Sequence, residues 1–258
     1  MNDLNGKFGW KQYLHNRRME LFRQLPQEIS RLLVSFRNDG VKLLDVGCWD
    51  GEFTVDYAKA LNARFENVSG LDFFEDMLAT AKGRKVQAIQ IDLETQTFPF
   101  DDKSFDVVVC NQVLEHLKQI YLPLSEIHRV LRVGGHAIIS VPNLAALHNR
   151  LLLLLGRQPV TIRMIGPHVR GFAYKAFTKF LTTNGLFICQ RVIPIGFHPL
   201  PIHLGSAIVR AVPSFCHTGI WVLEKSGTQS LNWQDTMHLQ KEQTTYFEER
   251  TRMHHPTS

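Results

Sequence analysis

The sequence predicts an α/β fold built on a parallel β-sheet. Three observations predict it. Short apolar runs alternate with amphipathic segments at the spacing of βα units. The first run, Val41–Val46, feeds into a glycine-punctuated turn, Gly47-Cys48-Trp49-Asp50-Gly51. Two later runs are each followed by an acid, Asp72 and Asp92. Right-handed crossovers bring the carboxyl ends of parallel strands to one edge, so the turn and both acids are expected to face one crevice.

Each element follows from local pattern. Residues 11–37 carry helical periodicity through Leu14, Leu21, Leu25, Ile29, Leu32 and Leu33, interrupted near Pro26. Asn38-Asp39-Gly40 stops that helix. Val41–Val46 is a strand, Glu52–Leu61 a helix, Val68–Leu71 a strand, Glu75–Lys82 a helix and Val86–Ile91 a strand. Phe105–Cys110 is a strand, Leu122–Leu131 a helix and His136–Val141 a strand. The rhythm then breaks. Asn143–Val169 reads as an insertion with a short leucine-rich helix. Tyr174–Thr183 is helical, Asn184-Gly185 ends it, and Leu186–Ile195 is a strand. Gly196–Thr218 holds Pro199, Pro201 and Pro213 around a short apolar run and reads as irregular. Gly219–Glu224 is the last strand, and the polar sequence beyond Lys225 reads as a tail. The expected organisation is a helical cap over residues 1–38, a main domain over 39–226 with lid insertions at 143–172 and 196–218, and a tail over 227–258.

Composition bounds the function. With 258 residues and 44% hydrophobic content, the chain is long enough to bury a substantial core. The longest apolar run, Leu151–Leu155, is far too short for a membrane span, and Met1–Leu14 lacks the apolar centre of a secretion signal. Cys48, Cys110, Cys189 and Cys216 are scattered without Cys-x-x-Cys spacing, which favours buried free thiols and a cytoplasmic location. The net charge of +5 is mild, and no aromatic-basic signature for nucleic acid accompanies it.

The turn excludes two common ligands. A dinucleotide fingerprint counted from Gly47 would need glycine where Trp49 and Glu52 stand. A phosphate loop would need a Gly-Lys-Ser/Thr ending that is absent. What remains is Asp45-x-Gly47-x-x-x-Gly51. An acid at the strand end repels pyrophosphate but suits a ligand's ammonium group. Asp72 lies one βα unit beyond Gly51, at the end of another strand-like run.

These blocks together resemble the class I S-adenosylmethionine-dependent methyltransferases. Leu43–Gly51 resembles the glycine-rich first motif, Gly70-Leu71-Asp72 the second and Ile91-Asp92-Leu93 the third. Residues 98–108, Phe-Pro-Phe-Asp-Asp-Lys-Ser-Phe-Asp-Val-Val, resemble the run into the fourth strand. Leu131–Gly135, followed by Ser140-Val141-Pro142-Asn143, resembles the passage through the fifth. The resemblance implies a Rossmann-like, doubly wound, seven-stranded mixed sheet of order 3-2-1-4-5-7-6, last strand antiparallel. It implies that Asp45, Gly47, Cys48, Gly51, Asp72, Phe73, Asp92 and Leu93 hold S-adenosylmethionine, with Asn111 and Gln112 at the methyl end and S-adenosylhomocysteine as product. Trp49 departs from the pattern, which usually has a small residue there, so its ring is expected to point away from the cofactor or stack on its edge.

The acceptor is less determined. Asn111-Gln112-Val113-Leu114 replaces the Asn-Pro-Pro-Tyr type of sequence found in adenine and amide N-methyltransferases. Hydroxyl, carboxyl, carbon and amine acceptors stay open, with O- or C-methylation of a small-molecule or lipid-like acceptor preferred. Glu115-His116 resembles the pair in quinone-biosynthesis O-methyltransferases, and His116 is the candidate general base. Some of those relatives bind a divalent metal through an acid where Gln112 stands, and the amide argues against a metal here. His168 and Arg170 resemble an element that returns toward the acceptor pocket. Trp10, Tyr13 and the apolar insertions are expected to form a lid, with peripheral membrane contact open. Two rivals are a binding or scaffold protein on the same fold and a nicotinamide-dependent oxidoreductase, the latter disfavoured by the missing glycines.

Overall fold

The computed structural model describes residues 23–197, 200 and 202–227, all within one compact unit. Its elements in chain order are a helix over residues 23–33 (α1), Leu43–Val46 (β1), Glu52–Leu61 (α2), Val68–Asp72 (β2), Glu75–Gly83 (α3) and Gln87–Gln90 (β3). Phe105–Asn111 (β4), Tyr121–Val130 (α4), Leu131–Pro142 (β5), Leu147–Leu154 (α5) and Tyr174–Thr182 (α6) follow. Phe187–Ile195 (β6), Ile202–Ala211 (α7) and Thr218–Lys225 (β7) complete it.

The strands form one sheet of order β3-β2-β1-β4-β5-β7-β6, as the family resemblance implies. β1 pairs in parallel with β2 and β4, and β7 runs antiparallel between β5 and β6. β1 and β2 bury every residue, because helices cover the centre of the sheet, whereas the edge strand β3 buries only Ala88. Leu25, Ile29 and Leu33 of α1 pack with Tyr57 and Leu61 of α2 in the core cluster that includes Val41 and Leu43. Farther along, α6 docks on β7, where Trp221 Nε1–H donates to Thr178 Oγ1 at 2.8 Å.

Three departures from the sequence-based expectation have physical causes. Pro26 lies within α1 instead of interrupting it, because burial of Leu25 and Ile29 on either side keeps the helix docked. β5 starts at Leu131, not His136: Leu131 pairs with Phe105 across a bulge between Phe105 and Val107. Lys225 Nζ donates to the Leu131 carbonyl at 2.7 Å and fixes this early start. The stretch expected to be irregular contains α7, whose flanking prolines hide a helical core. The four cysteines are free thiols, with Cys48, Cys110 and Cys216 buried.

The motif before β4 is explained by two charged residues of α4. Glu126 accepts the Phe98 N–H at 2.7 Å and pairs with Arg129 at 2.7 Å. Arg129 also donates to the Phe98 and Phe100 carbonyls and to Asp102. The pair therefore staples an extended loop that has no ladder partners of its own. Arg129→Ala removes one member and leaves Glu126 buried without its cation. Urea unfolding is expected to show a loss of about 2–3 kcal/mol, and an unchanged midpoint would show that the staple carries no stability.

Candidate functional site

The site grows from the bend after β1. Val46 sits opposite Leu71 on one side and Cys110 on the other, so the bend emerges between the ends of β2 and β4. Gly47 has φ +80°, and a Cβ there would lie 2.3 Å from Val113 Cγ2, so both conformation and space demand glycine. The N–H groups of Gly47 and Cys48 both donate to the Leu71 carbonyl, at 2.7 and 3.0 Å. Trp49 is left-handed at φ +50°, an uncommon state for a bulky residue. Its N–H donates to Asp72 Oδ2 at 2.8 Å. Gly51, at φ +76°, opens α2 and packs closely on Ala81.

Asp72 clasps this bend from the end of β2. Its Oδ1 accepts the N–H groups of Phe73 at 2.7 Å and Phe74 at 3.2 Å. An ionised carboxylate has about four acceptor positions, so three bonds to the protein's own backbone leave little spare capacity for a ribose diol. Asp45 is buried and accepts the Thr54 hydroxyl at 2.5 Å. Burial pushes its carboxyl up to about 7, the Thr54 bond opposes this, and the charge of Asp72 adds to it. A ligand cation beside Asp45 would hold it ionised.

The structure separates Asp92 from the simple picture of a free acceptor. Its Oδ1 accepts the Glu94 N–H at 2.9 Å and its Oδ2 the Thr95 hydroxyl at 2.8 Å, so it orders the turn after β3. Leu93 is buried beside it. Three aromatic rings stand exposed near the bend: Phe73, Phe74 and Trp49. Trp49 meets Phe74 edge-on at 5.2 Å, so its ring joins this aromatic group. Phase-matched alternation of apolar residues gave no hint of Phe74; its adjacency to Phe73 was the available signal.

At the end of β4, Asn111 Oδ1 accepts the Ser140 hydroxyl at 2.6 Å, and Asn111 Nδ2 donates to the Tyr57 hydroxyl at 3.3 Å. Gln112 is left-handed at φ +56°, and its side chain donates to Ser140 Oγ at 3.2 Å. Ser140 thus orients both predicted residues and Tyr57 orients Asn111, and sequence reasoning missed them because they lie on distant elements.

A second cluster follows on the turn Leu114–His116. Glu115 is 1% exposed, and neither carboxylate oxygen has a hydrogen-bond partner among the described residues. Burial pushes its carboxyl up to about 8, so it is mainly neutral at pH 7. Its carbonyl accepts the N–H groups of Val169 at 2.9 Å and Arg170 at 3.2 Å, which seats the end of the insertion here. The rings of His116 and His168 lie 4.9 Å apart, nearly perpendicular. His116 Nδ1 is 3.2 Å from the Pro167 carbonyl, and His168 Nδ1 is 2.9 Å from that of Thr161. Glu115, His116 and His168 bring potential metal-ligating atoms within 4.8 Å of one another without using Gln112, on which the expectation of no metal had rested. Arg170 donates to the Lys118 carbonyl, so its guanidinium ties the loop down. Trp10 and Tyr13 lie outside the described residues.

Comparison with known proteins agrees with this layout. Residues 44–139 match the family model described as a methyltransferase domain. A demethylmenaquinone methyltransferase of Staphylococcus epidermidis is 35% identical over 102 residues, covering 38% of this chain and 42% of that protein. The chain therefore spans less than half the length of the curated relatives it matches. A crystal structure of an S-adenosylmethionine-dependent methyltransferase from Archaeoglobus fulgidus aligns with TM-score 0.55 at 17% identity, over 85% of this chain and 99% of that one. The [4+2]-cyclase SpnF aligns with TM-score 0.54 at 17% identity, over 78% and 82%. Such distant likenesses establish the fold, and the cyclase shows that the fold by itself does not fix a reaction.

Glu115 makes stability depend on pH. Its carboxyl keeps a proton up to about pH 8 in the folded chain, against an ordinary value of 4.5. Between those values the folded state holds a proton that the unfolded state has released. Stability then falls as pH rises, by up to about 1.4 kcal/mol per pH unit. Asp45 contributes in the same direction, over a window ending near pH 7. In Glu115→Gln, urea unfolding between pH 5 and 8.5 is expected to show a distinctly shallower decline. An unaltered slope would mean that Glu115 does not titrate as a buried acid.

Proposed function

We propose that this chain, whose residues 44–139 match a methyltransferase domain, is a class I S-adenosylmethionine-dependent methyltransferase that transfers a methyl group from S-adenosylmethionine to an oxygen or carbon of a small, lipid-like acceptor. The observation that carries the reading is the bend at Gly47, clasped by Asp72 between the ends of β2 and β4, within the matched residues 44–139. The residues fit the cofactor. Asp45 is a buried carboxylate in need of a cation, Asp72 Oδ2 accepts a single N–H from Trp49 and keeps one acceptor position for a ligand hydroxyl, and Phe73 offers an exposed ring for a base. When bound, the cofactor supplies an electrophilic methyl group on a sulfonium centre.

The chain's own contribution is alignment and proton handling. Asn111 and Gln112, fixed through Ser140, border the place where the acceptor must arrive. With the Nδ1 proton of His116 turned to the Pro167 carbonyl, its Nε2 is the acceptor for a hydroxyl proton. Glu115, kept neutral by burial, adds no negative charge against an apolar acceptor. The named activity of the staphylococcal relatives supports a quinone-like ring as the acceptor class. Among the described residues, no helix is long and apolar enough to cross a membrane.

Two experiments test this. Calorimetric titration with S-adenosylhomocysteine is expected to show binding that weakens tenfold or more in Asp72→Ala, since a hydrogen bond to a charged group is worth about 1.5–3 kcal/mol. Unchanged affinity would remove Asp72 from the site, and a preference for NADH would favour the oxidoreductase instead. With isotope-labelled cofactor and a demethylated quinol, His116→Ala is expected to lose roughly a hundredfold in turnover while binding is retained. Equal turnover would remove His116 as the base, and absence of turnover in every acceptor pool would favour a binding protein.

A further inference from the structure

Charge along this chain is unevenly divided. Between Glu126 and Glu224 there is no Asp or Glu, while ten Lys or Arg residues occur. Within this acid-free span, α5 turns an apolar stripe outward. Leu151 and Leu154 stand at i and i+3 on one face of α5, and Leu155 follows as its C-cap. They are 52%, 83% and 72% exposed. The chain then folds back, with Val160 N–H donating to Asn149 Oδ1 and Gln158 to the Ile162 carbonyl. Past that fold-back, Met164 and Ile165 are 89% and 95% exposed. Arg157 and Arg163 are exposed among them.

Large side chains so fully open to water are unusual on a soluble surface, and neighbouring exposed apolar residues mark a contact. Two features choose the partner. Leucines interspersed with arginines suit the boundary of headgroups and acyl chains, where an apolar face sinks in and cationic heads stay at phosphate level. The absence of acids removes the repulsion that anionic headgroups would otherwise meet. A protein groove would also accept the leucines, but it gives no reason for a whole span to lack carboxylates.

We propose that the insertion carrying α5 and the Met164–Ile165 tip docks on anionic lipid bilayers. The surface accounts for the docking without reference to methyl transfer. It nevertheless bears on the site, because the same insertion ends at His168 and at the bonds from Val169 and Arg170 to the Glu115 carbonyl. A docked insertion therefore places the His116–His168 cluster near the bilayer surface.

Co-sedimentation of the full chain with vesicles tests the proposal without any turnover. Vesicles of phosphatidylcholine with 30% phosphatidylglycerol, a composition chosen on the order of natural anionic content, are compared with phosphatidylcholine alone. Binding to the anionic vesicles is expected to be at least tenfold stronger and to fall with added salt. Arg157→Glu with Arg163→Glu is expected to lower it by about fivefold per reversed charge or more, and Leu154→Ser with Ile165→Ser by a similar total. These residues are exposed, so unfolding midpoints should not move and loss of binding is separable from loss of fold. Wild-type protein that stays in the supernatant, or variants that bind as well as wild type, would overturn the proposal. So would self-association that the serine variant abolishes while vesicles are ignored, since that would assign the surface to a second copy.

Discussion

One carboxylate and one carbonyl at the end of β2 hold the bend after β1 in place. The Leu71 carbonyl receives two consecutive N–H groups from the bend, and Asp72 receives the third from Trp49. Three successive amides are thereby turned toward a neighbouring strand, with Gly47 and Trp49 in left-handed conformations. Gly47 follows that path freely, and Trp49 is held in it by the Asp72 bond. The strain at Trp49 is of the order of 1–2 kcal/mol, comparable to what a charge-assisted hydrogen bond returns. The bend is thus a product of β1–β2 pairing: a slip of that register by one residue would place Asp72 out of reach.

The second cluster depends on the first. Val113 fills the space that a side chain at position 47 would need, so the glycine fixes where the chain goes after β4. Two residues on, Glu115 is buried without a partner for its carboxyl group and pins the returning insertion through its carbonyl. A buried unpaired carboxyl is costly unless it stays protonated. Its retention beside two histidines is what marks this place as more than packing.

What sequence makes legible here is local. Short apolar runs bounded by glycine and acid gave every strand, and Gly47 and Gly51 announced themselves by spacing. Sheet order beyond the fifth strand rested on family resemblance, because no local pattern says that β7 inserts between β5 and β6. α7 was hidden because prolines at its flanks read as irregularity. Asp72 and Asp92 were legible as acids at strand ends, yet their bonds to Trp49, Phe73, Glu94 and Thr95 depend on turn geometry that composition does not encode. Glu115 was read only as the neighbour of His116, since its burial arises from an insertion that starts about thirty residues later in the chain.

The distribution of acids gives these parts a common electrostatic sense. Asp45, Asp72 and Asp92 all lie before Glu126, around the crevice at the ends of β1 to β3. Carboxylates gathered there attract a cationic ligand. The segment that returns to the other side of the site, through His168 and Arg170, belongs to the acid-free span. Glu115 stands between them, and burial keeps it neutral. The fold therefore gathers Asp45, Asp72 and Asp92 at the ends of β1 to β3 and sets two histidines and a neutral carboxyl at the second cluster. That division follows from where acids are absent as much as from where they stand.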